Sequence, residues 1–170
     1  IASAPAQLNR VFQLPNGSTL VSYLKDPNDI NATTLGILDL ENGVDIVDGV
    51  ASFAINELLD VNLYRIDTIV QLDTSTSNEG PNSEAGSMQN VALAFSGHDT
   101  NYNGLVSAIE LGLEDDQYTL LKHSEYEFTN QQGRPYLSFA DANFLYVDTD
   151  LDNLIHVLKL WESNYTIGSF

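Results

Sequence analysis

Between Asp99 and Glu110 the chain reads Asp99-Thr100-Asn101-Tyr102-Asn103-Gly104-Leu105-Val106-Ser107-Ala108-Ile109-Glu110, with oxygen-bearing side chains at positions 1, 3, 5, 9 and 12 and glycine at 6. Oxygen donors at alternate positions suit a hard divalent cation, which takes about six to eight oxygens at roughly 2.3–2.6 Å. A glycine in the middle of such a run permits a sharp reversal that a Cβ hinders. A second stretch, Asp148-Thr149-Asp150-Leu151-Asp152-Asn153-Leu154-Ile155-His156-Val157-Leu158-Lys159, repeats the aspartates at positions 1, 3 and 5. It carries Asn153 where the first has glycine, a residue that tolerates left-handed backbone angles. Its last position is Lys159, which puts a positive charge where the first stretch has an acid.

The first stretch resembles the calcium-binding loop of the EF-hand family, and the resemblance extends over about residues 87–163. It implies that Asp99, Asn101 and Asn103 point inward, that Leu105 offers its backbone carbonyl, that Ser107 binds directly or through water, and that Glu110 closes the shell with both carboxylate oxygens. It also implies a partner loop meeting Val106 in a short strand contact, with residues 148–159 in that role. Asp148, Asp150 and Asp152 then form a structural loop or a weak second metal site. With two charged side chains among the five oxygen donors, the expected affinity for calcium (Ca2+) is micromolar to millimolar, which suits an extracellular or secretory pool.

The elements needed to hold such loops are read as mostly helical. Val50, Phe53, Ala54 and Leu58 recur at helical spacing within residues 46–61, and Met88, Val91, Ala92 and Phe95 do so behind a candidate N-cap at Ser87. Residues 138–147 start with Ser138 as another candidate cap. Residues 10–24 read differently, because apolar runs flank Asn16-Gly17, the dipeptide best suited to a tight hairpin turn. Pro15 belongs at a strand end in that reading. The Ser, Thr, Asn, Gly and acid-rich stretch 73–87 reads as a linker between residues 1–72 and 88–170. The expected fold is mainly α, with an EF-hand pair in the second half and a diverged first half, or α+β if the first half carries short hairpins.

Charge narrows the partners. Twenty-four acidic residues against six basic ones leave a formal net charge of -18, which repels nucleic acid and anionic lipid and favours cations and basic proteins. Cysteine is absent, so disulfides and thiolate metal sites are excluded. Sequons at Asn16, Asn31 and Asn164, together with an opening Ile1-Ala2-Ser3-Ala4-Pro5-Ala6 that resembles the start of a processed chain, point to a secreted or secretory-pathway glycoprotein. No apolar run is long enough to cross a bilayer, so membrane insertion is not expected.

His98, His123 and His156 fall in no zinc-binding spacing, and no nucleophile elbow, phosphate-cradling loop or dinucleotide fingerprint occurs. No catalytic residue is assigned, and the chain is read as a calcium-binding protein that is not an enzyme. Calcium in the 99–110 loop is expected to stabilise the fold and a partner-binding surface. An acidic matrix component that gathers calcium and a carrier of a small apolar ligand are the competing uses. A calcium-opened target groove is disfavoured, since Met88 is the sole methionine.

Overall fold

The computed structural model describes residues 7–26, 28–30, 32–47, 50–72, 90–129, 131–140, 144–161 and 166–169. These residues form strands and turns, with no helix among them. The mainly α fold and helical EF-hand pair expected from the sequence are therefore corrected to an all-β architecture of three four-stranded antiparallel sheets. The chain divides into two compact units, Ile1–Ile66 and Asp67–Phe170. The expected linker, 73–87, lies outside the described residues. Among the described residues no helix is long and apolar enough to cross a membrane.

The first unit is a meander of β1 (Gln7–Gln13), β2 (Thr19–Leu24), β3 (Thr33–Val47) and β4 (Val50–Val61), paired in sequence order. The hairpin expected around Asn16-Gly17 forms between β1 and β2, with Gly17 at φ +91 and Pro15 in the turn, where it needs no ladder donor. Residues 50–61, expected as the core of an amphipathic helix, are β4. Leu35, Leu38 and Thr33 of β3 lie opposite Leu59, Ile55 and Val61 of β4, an inter-strand pairing that outweighs the local helical spacing.

A polar network ties β2, β3 and β4 together at one end. The buried Tyr23 donates its hydroxyl to Glu57 Oε1 at 3.0 Å, and Lys25 Nζ lies 2.8 Å from Glu57 Oε2 and 3.0 Å from Asp60 Oδ1. Thr34 donates to Asp60 Oδ1 at 2.6 Å. Burial, then the bond to Glu57 and its negative charge, push the Tyr23 phenol up to about 12.

β5 (Arg65–Leu72), which enters the second unit at Asp67, forms one sheet with β6 (Val91–His98), β7 (Gly104–Glu114) and β8 (Gln117–Phe128). The other sheet is ordered β12-β11-β10-β9, from β9 (Pro135–Ala140), β10 (Phe144–Thr149), β11 (Ile155–Lys159) and β12 (Thr166–Ser169). Their inner faces meet in a core of Leu72, Ala92, Ala94, Val106, Ala108, Tyr126, Phe128, Leu145, Val147, Leu158 and Leu160. The Tyr126 hydroxyl reaches across to the backbone carbonyl of Lys159, so the phenol is satisfied inside an apolar layer. All eight residues of β6 are buried. The expected helix over Val91, Ala92 and Phe95 is thus the start of a doubly covered strand, whose continuous apolar run mimics helical spacing. Residues 138–147, also expected as a helix, contribute the end of β9 and the start of β10.

Tyr23 gives the fold a measurable alkaline limit. Its folded-state pKa lies above the ordinary value of 10.0, so its contribution to stability is complete below pH 10 and is lost as pH rises towards 12. Tyr23→Phe should remove an ionisation step near pH 12 from the ultraviolet titration. It should also flatten the alkaline fall in melting temperature; an unchanged titration curve would contradict the network.

Candidate functional site

Residues 99–103 form the turn between β6 and β7, and the alternate oxygens noted in the sequence build that turn. Asp99 Oδ1 accepts from the amides of Asn101 at 2.8 Å and Asn103 at 2.9 Å, while Oδ2 accepts from Asn103 Nδ2 at 2.9 Å. The Asp99 amide donates to the Asn103 carbonyl at 2.9 Å, and Tyr102, at φ 64, donates its amide to the Asp99 carbonyl. Burial pushes the Asp99 carboxyl up, but the bonds from Asn103 and Asn101 and the nearby His98 outweigh it and hold it below the ordinary carboxylate value.

The rest of the expected calcium shell is elsewhere. Gly104 starts β7 and is needed there because a Cβ would lie 2.2 Å from Pro135 Cδ. Leu105 and Ser107 are buried in β7, with Ser107 Oγ 2.9 Å from His123 Nε2. Glu110 projects from the opposite face of the strand, where it pairs with Lys122 Nζ at 2.6 Å and accepts from Asn90 Nδ2 at 2.8 Å. It stands seven steps of extended chain beyond Asn103, roughly 23 Å at about 3.3 Å per residue. Asp99, Asn101, Asn103, Leu105, Ser107 and Glu110 therefore do not enclose one ion in this structure. Among the described residues no group of three or more His, Asp or Glu converges as a metal cage.

The second acidic stretch is the hairpin of β10 and β11. Asp148 lies in β10, and Asp150 and Asp152 lie in the turn. Asp152 Oδ1 accepts from the Leu154 amide at 3.0 Å and from the Thr149 hydroxyl, and Oδ2 lies 2.9 Å from His156 Nε2. Burial raises the Asp152 carboxyl, and these bonds, Thr149 first, overcome it and lower it. His156 is buried edge-on against Phe128, with ring centres 5.1 Å apart. Asn153 takes the left-handed angle its type permits, φ 56. Lys159 is the last residue of β11.

Sequence reasoning missed the loop between β8 and β9, which joins these two turns. Gly133, at φ +88, lies so close to Asp150 that a Cβ would sit 2.0 Å from its Oδ1. The Arg134 amide donates to Asp150 Oδ1 at 2.8 Å, and its guanidinium lies 5.0 Å from the centre of the exposed Tyr102 ring. Tyr102 stacks on His98 with centres 5.6 Å apart, and His98 Nδ1 lies 2.9 Å from Asp67 Oδ2 on β5. The Gln132 carbonyl accepts from the Leu151 amide at 3.3 Å. Three loops are thereby locked together at one end of the sandwich. The Gly-Arg pair in 129–134 was the available signal.

One cluster has the composition of a hydrolytic triad without its geometry. His123 Nε2 lies 2.9 Å from Ser107 Oγ and 3.2 Å from Glu125 Oε1, so one nitrogen faces both groups. Nucleophilic relay needs the imidazole to span serine and acid through opposite nitrogens, and Ser107 is fully buried. Of the three sequons, Asn16 is exposed at the β1–β2 turn with its Oδ1 accepting from the Ser18 amide at 2.9 Å; Asn31 and Asn164 lie outside the described residues.

Two outcomes test the loop end. Gly133→Ala should destabilise the chain by about 1–3 kcal/mol in denaturant melts, because the backbone angle and the Asp150 carboxylate both oppose a side chain. Asp99 and Asp152 have folded-state pKa values below the ordinary 3.8, so their stabilisation is present above that pH and is lost as pH falls through the lowered values. An Asp99→Asn, Asp152→Asn double variant should show a shallower acid limb in melts between about pH 5 and 2. Searches of family models, curated proteins and solved structures find no match to this chain.

Proposed function

We propose that this chain is a non-enzymatic binding module that works outside the cytosol, with the loop end of its Asp67–Phe170 sandwich as the working surface and calcium as its ion. The observation that carries the reading is the locking of two Asp- and Asn-bearing turns, 99–103 and 150–154, to either side of the loop containing Gly133 and Arg134. Oxygen atoms of Asp99, Asn101, Asn103 and Asp150 then belong to neighbouring turns of one unit. The net charge of -18 raises the local cation concentration around them. Calcium accepts flexible, partly hydrated oxygen shells, so turn oxygens with water completing the sphere suit weak binding of the micromolar to millimolar class. Ion binding to the folded chain alone stabilises it by mass action, about 2.7 kcal/mol at a hundredfold excess over the dissociation constant. The calcium role assigned here differs from the loop of residues 99–110 in drawing on Asp150 while Leu105, Ser107 and Glu110 take no part.

Calorimetric calcium titration of the whole chain separates the two. The wild type and Glu110→Gln should bind alike, and Asp150→Asn should lose most of the heat while keeping its melting temperature in the absence of calcium. The replacement keeps the Oδ1 acceptor that holds the Arg134 amide. Loss of binding in Glu110→Gln would return the site to the 99–110 shell, and no heat up to about 10 mM calcium would remove calcium from the function.

A further inference from the structure

The outer face of the β9–β12 sheet carries one carboxylate set among exposed apolar groups. Asp148 on β10 stands directly opposite Ile155 on β11 and Tyr136 on β9, and residues paired in this way share a face. The neighbouring Val147 and Leu145 are buried in the sandwich core, so alternation turns the Asp148 row outward. Tyr136 is 40% exposed and Ile155 44%; Leu151 at 61% and Leu154 at 37% are exposed in the turn that joins β10 to β11. Lys159, the cation of β11, pairs opposite Phe144, four residues along the strand from Ile155.

We infer that this face docks a partner protein through an apolar segment that presents one arginine to Asp148. A guanidinium offers the planar fork that a carboxylate accepts in two parallel bonds, and it stacks on an aromatic ring such as Tyr136. Apolar residues flanking the arginine cover Ile155, Leu151 and Leu154. The -18 charge of the chain steers such a cationic segment inward and repels anionic lipid. Asp148 lies outside the oxygen set assigned to calcium above, and the calcium-free test below reads the docking face apart from that assignment although Leu151 and Leu154 share a turn with Asp150.

The test uses the isotope-labelled whole chain, calcium-free, and a blocked pentapeptide with arginine between two valines on each side. Amide shifts should centre on residues 136, 148, 151 and 155. Citrulline in place of arginine should weaken binding about tenfold, and Asp148→Asn or Ile155→Ser should each weaken it by a similar factor, without change in melting temperature. Shifts spread over the acidic surface and untouched by Ile155→Ser would overturn the proposal in favour of diffuse charge attraction. Concentration-dependent broadening at the same residues without peptide, abolished by Ile155→Ser, would overturn it in favour of a second copy of this chain.

Discussion

A side-chain oxygen that accepts a hydrogen bond from the amide two residues ahead recurs at the turns of this protein. Asn16 holds the Ser18 amide, Asp26 holds Asn28, Asp99 holds Asn101, and Asp152 holds Leu154, at 2.8–3.0 Å. Each bond replaces a backbone partner that the chain loses where it leaves a strand, and each biases the chain to reverse. The sheets depend on these reversals, because an antiparallel pair finds its register only once the turn has set it. At Asp99 and Asp152 the turn acid is bonded to several groups, so those two turns are also rigid.

That rigidity places the loop end. Strands β6 and β7 are buried along most of their length and leave little room for charge, so the acids are driven to turns, strand ends and outward-facing positions. Glu110 illustrates the alternative. Within its strand it is largely shielded, and it is held by Lys122 and Asn90. Where the β6–β7, β8–β9 and β10–β11 loops meet, Gly133 lets backbone approach Asp150, and Arg134 spans from that carboxylate to the Tyr102 ring. Loops at the end of a β-sandwich are segments that can carry a binding surface without disturbing the core.

The resemblance to a calcium loop and the helical spacing share a physical cause. Oxygen side chains at alternate positions are what a coordinating loop needs and also what a capped turn needs, and Asp99-Thr100-Asn101-Tyr102-Asn103 satisfies either description locally. What distinguishes them is the conformation of residues 104–110, which is settled by pairing. Gly104–Glu110 lies between β6 and β8 with hydrogen-bonded neighbours on both sides, and extension carries Glu110 away from the turn. The apolar positions of residues 50–58 and 88–95 likewise fit a helical stripe, yet runs such as Val91–Phe95 are apolar at consecutive positions, as a strand covered on both faces requires. The Asp115-Asp116 turn, with both residues at positive φ, joins β7 to β8 without a glycine and so leaves a faint signal.

The sequence by itself determined the local and the global extremes: the Asn16-Gly17 hairpin, the left-handed Asn153, the absence of disulfides and a net charge of -18. Turn chemistry acts over two to four residues and net charge over none in particular, so both are legible without knowing which segments meet. Tertiary structure alone decided strand against helix, the separation of Glu110 from Asp99, the meeting of Arg134 with Asp150 and Tyr102, and the outward row of Tyr136, Asp148 and Ile155. A strand's hydrogen bonds go to partners far along the chain, and the energy that selects it lies in those partners and in the core they close, outside any window of sequence in which the strand itself is read.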